Sequence, residues 1–175
     1  FSMFESKVAS DTLKSWNLLP TKPDWAQGLA TTWAPGEAGA RELLATFLDY
    51  GLKGYAEGRD RPDQQHVSRL SAHLHWGEIS PHHVWYATRN TMARAEGVLD
   101  RDGEKFLKEV LWREFAYHLL HHVPHFPDKP FKPEYEDFPW VVDSEALQKW
   151  QRGQTGYPIV DAGMRELWAT GIMHN

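Results

Sequence analysis

Cysteine is absent from all 175 residues, which excludes a disulfide framework and any thiolate-held metal site. A chain without cysteine suits a reducing compartment, and the expected location is cytoplasmic. No apolar run approaches the roughly 20 residues that a membrane helix requires, and Phe1–Asp11 lacks the layout of a signal peptide. Strand-like alternation is missing throughout and no repeat of fixed period occurs, so neither a sheet nor a solenoid is expected. Positive charge is not in excess either. The formal net charge of −5 argues against a protein that coats nucleic acid by bulk attraction, while a local basic face remains compatible with it.

What the chain has in quantity is flat side chains: nine Trp, eight Phe and six Tyr, with ten His besides. Hydrophobic residues at 41% and charged residues at 25% are ordinary for a globular protein, so the aromatics are the anomaly. They suit either a Trp-rich core or a protein that stacks on flat ligands.

Residues Phe1 to Gly36 read as an irregular, Pro- and Trp-punctuated lead-in, and residues 37–175 as helical. From Glu37, Ala40, Leu43, Leu44, Phe47 and Leu48 recur at helical spacing, and Gly58 to Gln65 reads as a charged loop. Ser80-Pro81 is an N-cap and first-turn pair opening a helix through Val84, Trp85, Thr88 and Met92. The strongest helix is expected over Glu104–His122, with Leu107, Val110, Leu111, Phe115, Leu119 and Leu120 as its buried stripe. A short helix carries Leu147 and Trp150. A last one runs from Pro158 to Gly171 with Ile159, Val160, Met164, Leu167 and Trp168 on one face. The fold class is all-α.

The long helix carries a second set of residues, Phe106, Glu109, Trp112, Arg113 and Ala116, on one side. A carboxylate that accepts from a base edge, an indole that stacks and a guanidinium that forks onto phosphate suit a flat, anionic ligand. A solvated face with a Glu109–Arg113 pair worth about 0.2–0.5 kcal/mol fits the same residues. Val67–Ser71 offers two hydroxyls and an Arg that suit a diphosphate, or simply a turn before the next helix. His118, His121, His122 and His125 have spacing that could chelate a metal, but the expectation is none: no HExxH order or carboxylate partner accompanies them. His73, His75, His82 and His83 read as loop and first-turn polar residues.

Three segments together resemble the DNA photolyase and cryptochrome family. They are KEVLWREF (Lys108–Phe115), VSRLS (Val67–Ser71) with GEISP (Gly77–Pro81), and TGYPIVDAGMREL ending in MHN (Thr155–Asn175). The resemblance covers about residues 37 to 175 and is strongest to bacterial enzymes for cyclobutane pyrimidine dimers. It implies FAD, active in its reduced form, held by Tyr55, Val67, Ser68, Arg69, Leu70, Ser71 and Phe106. It implies DNA contacts from Arg59, from Glu109, Val110, Leu111, Trp112, Arg113, Glu114, Phe115 and Ala116, and from Asn175. Glu109, Trp112 and Asn175 would meet the flipped-out dimer, and Trp140 would be the surface member of an electron-transfer chain. The implied reaction is light absorption by reduced flavin, electron transfer to the dimer, ring opening and return of the electron.

Val67 stands where the family usually has Thr, and Phe106 and Ile172 stand where it commonly has Trp. The family's flavin-facing aspartates and inner tryptophans fall after Asn175, and its antenna domain, with a chromophore of unknown identity, precedes the lead-in. The stretch is therefore expected to be 1–36 of an interdomain connector and 37–175 of the N-terminal part of the flavin domain. Alone it is expected to be inactive and to self-associate, the parent being monomeric. A blue-light sensor of the cryptochrome type and a cofactor-free helical interaction module are the alternatives.

Overall fold

A computed structural model describes residues 9–174, and among these there is no β-strand. The helices are α1 (Gln27–Thr32), α2 (Glu37–Thr46), α3 (Tyr55–Gly58), α4 (Ser71–His75), α5 (Pro81–Arg94), α6 (Asp100–His122), α7 (Ser144–Gln151) and α8 (Pro158–Thr170). None of the helices is long and apolar enough to cross a membrane. Ser80 caps α5 as its sequence predicts, the hydroxyl accepting from the His83 N–H at 3.1 Å. Gly171 ends α8 in the left-handed region at φ 74°, where a side chain would be strained.

From residue 9 onward the lead-in is more ordered than its prolines suggest. A 3₁₀ turn forms at Leu13–Trp16, and α1 packs on α8. Trp33 fastens that contact by donating its indole N–H to the Thr170 carbonyl at 2.8 Å. Composition alone hides such a helix, because its six residues are too few to display a period.

Ala40, Leu44, Phe47, Leu52, Tyr55, Leu70, Ile79, Val84, Phe106 and Val110 form the core. After α2 the chain widens into a π turn over Phe47–Gly51, with Leu52 donating to the Phe47 carbonyl five residues back at 2.8 Å. His66 then folds back, its Nδ1 3.1 Å from the Gly51 carbonyl oxygen. Gly58 makes this approach feasible, since a Cβ there would run into the His66 ring.

α6 begins four residues earlier than its apolar pattern predicts and buries only its first half. Gly103, Phe106, Leu107 and Val110 are inside, against α3 and α5. Leu111, Phe115 and Leu120, expected in the stripe, are 52%, 48% and 40% exposed. The repeat continues past the end of the elements that could cover it. α8 differs similarly: Asp161 and Met164 are its buried residues, while Ile159 and Trp168 are exposed.

Asp102, in the first turn of α6, accepts from the Gly54 N–H at 2.7 Å and the Ala56 N–H at 2.8 Å. It thereby satisfies the open N-terminus of α3 from another helix. Asp102→Ala should destabilise the fold by about 1–2 kcal/mol, and Asp102→Asn, keeping one acceptor, by about half as much. Denaturant midpoints check this, and an unchanged midpoint in Asp102→Ala would remove the capping role.

Candidate functional site

The segment Val67–Ser71 lines a cleft of about 210 Å³ together with Tyr55, Pro62, Gln64, Glu166, Ile172, Met173 and His174. A second hollow adjoins it and shares Arg69, Ser71, Ile172 and Met173. Arg69 sits at φ 53°, the left-handed region, so the loop bends sharply there. Leu70 turns into the core at 1% exposure and anchors the loop, while Ser68 and Arg69 stay half-buried and Ser71 opens α4 at the surface. Two hydroxyls and a guanidinium on one short bend are a donor set fitted to an anion of diphosphate size.

Tyr55 closes one side of the cleft. It is 6% exposed, and burial pushes its phenol up to about 12, so the ring stays neutral at any ordinary pH. Behind it, Phe106 lies edge-on at 5.4 Å between ring centres and packs on Phe47 at 4.6 Å. Phe106 therefore does not share an open face with Glu109 and Trp112. It is a core residue one ring behind Tyr55, because α6 is still against the body of the fold at that turn. Val110 is buried for the same reason.

α3 connects this cleft to the outward side of α6. Arg59, at the C-terminal end of α3, spreads its guanidinium 5.8 Å from the Tyr55 ring centre and forms an ion pair with Glu109. Lys105 pairs with the same carboxylate at 3.2 Å. A Glu109–Arg113 pair does not form. Arg113 turns the other way, donating to the Leu74 carbonyl at 3.1 Å and the Tyr117 hydroxyl at 3.0 Å, and pairs with Glu114 at 2.8 Å. One turn beyond Glu109, Trp112 is 61% exposed and meets the Phe115 ring edge-on at 5.5 Å. Leu111, Glu114 and Ala116 are at the surface beside it.

Trp140 stands apart, 78% exposed with its ring 4.7 Å from that of Phe138. Asn175 lies outside the described residues. The His rings at 118 and 122 approach to 4.3 Å, but among the described residues no three His, Cys, Asp or Glu side chains form a metal-sized group. Larger hollows of about 770 Å³ beside Met164, Arg165 and Trp168, and about 650 Å³ between α5 and α6, are open and bring together fewer of these polar groups.

Residues 106–175 match the family model for the FAD binding domain of DNA photolyase. The chain is 49% identical over 166 residues to a deoxyribodipyrimidine photo-lyase of Agrobacterium fabrum, covering 95% of this chain and 34% of that protein. It is 43% identical over 145 residues to the corresponding Thermus thermophilus enzyme, covering 81% and 32%. It is 37% identical over 151 residues to cryptochrome-1 of Arabidopsis thaliana, covering 84% and 22%. The crystal structure of a bacterial class III photolyase from Agrobacterium tumefaciens superposes with a TM-score of 0.90 at 49% identity, over 99% of this chain and 36% of that one. The chain spans about a third of the length of the two photo-lyases.

Two acids that the sequence did not single out fix the surroundings of the cleft. Asp161 accepts from the Thr155 hydroxyl at 2.6 Å, the Thr155 N–H at 2.7 Å and the Gly156 N–H at 3.0 Å, closing the turn before α8. Glu78 lies 2.5 Å from Nδ1 of His73, which is a 3%-exposed helix residue edge-on to Trp33 rather than a loop polar group. The Thr155 hydroxyl holds the Asp161 carboxyl below its usual range, and His73, with the Gly36 N–H, does so for Glu78. Both folded values are depressed, so the stabilisation is complete above the unfolded values of about 3.9 and 4.3 and is lost as pH falls through the folded ones. The thermal midpoint should hold between pH of about 7 and 5 and fall below about 4. Asp161→Asn should lower the midpoint at neutral pH and shrink the acid drop. An acid drop of undiminished size in Asp161→Asn would discount that carboxylate.

Proposed function

The chain belongs to the DNA photolyase and cryptochrome family, and from that premise we propose that it forms part of a light-driven deoxyribodipyrimidine photolyase repairing cyclobutane pyrimidine dimers. One observation carries the reading. The loop cleft at Tyr55 and Val67–Ser71 is joined through Arg59 to Glu109, with Trp112 open to solvent one turn further along α6.

The donor set fits FAD. Ser68, Arg69 and Ser71 would hold its diphosphate, Tyr55 would line the same cleft, and Phe106 would support Tyr55 from within the core. Reduced FAD, when bound, supplies the light-excited electron that opens the cyclobutane ring. The protein's own part is binding and electrostatics. Trp112 offers a bare indole on which a base extruded from the duplex can stack, and a dimer, already poorly stacked, is cheaper to extrude than a normal pair. Glu109 accepts a hydrogen bond from the pyrimidine edge. Arg113, Glu114, Phe115 and Ala116 continue the DNA side, with Leu111 beside Trp112, and Asn175 is assigned to the lesion by its motif. Trp140, bare at the surface, is assigned to electron entry. The lead-in to residue 36 serves as connector, held to the helical body by Trp33.

The longer parent protein, loaded with reduced FAD, should remove dimers from an oligonucleotide under near-ultraviolet or blue light. Bound flavin with dimers left intact would overturn repair in favour of a light sensor. Trp112→Ala should weaken binding to dimer-containing DNA by about 1–3 kcal/mol and leave flavin content unchanged. Loss of flavin with unchanged lesion affinity would assign Trp112 to the cofactor side instead.

A further inference from the structure

We propose that Trp33, in the lead-in, is a positioning residue for the flavin: it sets the spacing between the two walls of the cleft and thereby the affinity for FAD. This deepens the function proposed above and rests on it. One wall is the bend Val67–Ser71 that runs into α4, and the other is the segment Gly171–His174 that leaves α8. Among the described residues no hydrogen bond joins Val67–Ser71 to Ile172 or Met173. Trp33 touches both walls. Its indole N–H donates at 2.8 Å to the Thr170 carbonyl, one of those that a helix end leaves open. Its ring meets His73, two residues into α4 from Ser71, edge-on at 5.9 Å between centres. It also lines two hollows beside Arg69, each of which includes Ile172.

Both ends of this span are anchored. A Cβ on Gly28 would run into the Ala169 carbonyl oxygen, so α1 lies directly on the last turn of α8. A Cβ on Gly171 would meet Leu29 at 2.7 Å and Nε1 of Trp33 at 3.6 Å. The Thr170 hydroxyl accepts from the Ile172 N–H at 3.1 Å, which sets the direction in which the chain leaves the helix. At the other end His73 is 3% exposed and held by Glu78 at 2.5 Å. The size of the indole and its N–H therefore decide where Gly171–His174 lies against Arg69. Trp33 itself is half-buried and stands outside the core cluster, so the core does not depend on it. A cleft whose wall sits about 1 Å too loose loses affinity, because the ligand must then order what the protein left free.

The test is FAD titration of the longer parent apoprotein well below its thermal midpoint, with the fluorescence of the bound flavin read at saturation. Trp33→Phe keeps a ring against His73 and removes the N–H, and should weaken FAD binding about tenfold. Bound flavin should fluoresce more strongly in that variant, as water enters the looser cleft. Leu29→Ala, which removes the side chain resting on Gly171, should weaken binding comparably, and the double variant should lose less than the product of the two. Losses that multiply in full would give the two side chains independent roles and overturn a shared route through Gly171–His174. A Trp33 that merely fastens the lead-in would lower the apoprotein midpoint and leave affinity and fluorescence at their wild-type values, which also overturns the assignment. If Trp33→Phe does not fold, Leu29→Ala carries the same two readings. A wild-type parent that binds no FAD refutes the proposed function and this assignment together, whereas variants that match a wild type that does bind it refute the assignment alone.

Discussion

Phe106 packs its ring on Phe47 and against the edge of Tyr55, and the geometry of the site depends on that contact. It fixes the rotation of α6 about its own axis. With Phe106 turned inward, Glu109 arrives three residues later at the margin of the body, where Arg59 can reach it, and Trp112 a further three residues on is carried into solvent. The same contact fixes α3, because Tyr55 is its first residue and Arg59 follows its last. An aromatic trio thus sets both ends of the Tyr55–Arg59–Glu109 connection. Three rings bury enough apolar surface to hold such a position, which a loop stabilised by exposed polar contacts would not.

Around this trio the fold is tied by side chains that act on elements distant in sequence. Asp102 caps α3 from α6, Trp33 holds the lead-in to the end of α8, and His73 links Glu78 to the ring of that same Trp33. Each tie satisfies a polar group that would otherwise be costly where water is scarce. The cleft lies among these ties: Trp33 and Arg69 line one hollow, and Arg69 and Tyr55 line the next. An anion drawn to Arg69 would meet a bend already held from several sides.

The helical class, the caps at Ser80 and Gly171 and the three motifs were legible in the sequence, because each has a local chemical cause. The depth of burial was not. Leu111 and Phe115 continue the 3.6-residue pattern of Leu107 and Val110, and nothing in the pattern says that the covering helices stop. Phe106 and Glu109 are three residues apart, yet one is core and the other marginal, since the boundary of the body passes between them. Pairing was equally hidden. Spacing suggested Glu109 with Arg113, but the tertiary partner Arg59 arrives from 50 positions away and displaces the local one. His73 shows the limit from the other side: a histidine two residues after Ser71 reads as polar surface until Trp33 and Glu78 are brought to it.

A chain with a net charge of −5 has little bulk attraction for DNA, and under the proposed function this places a demand on the site. A bare carboxylate at the lesion would add repulsion to an already unfavourable field. Glu109 avoids this because Arg59 and Lys105 offset its charge at contact distance, where screening by salt is weakest. With Asp60, which also pairs with Arg59, the local group of two cations and two carboxylates is neutral while the protein as a whole is negative. Affinity for undamaged backbone then stays small, and the gain on meeting a dimer comes from groups that need an extruded base: the open face of Trp112 and the free oxygen of Glu109. Discrimination rests on contacts that ordinary duplex cannot make, and weak general attraction becomes a condition for it.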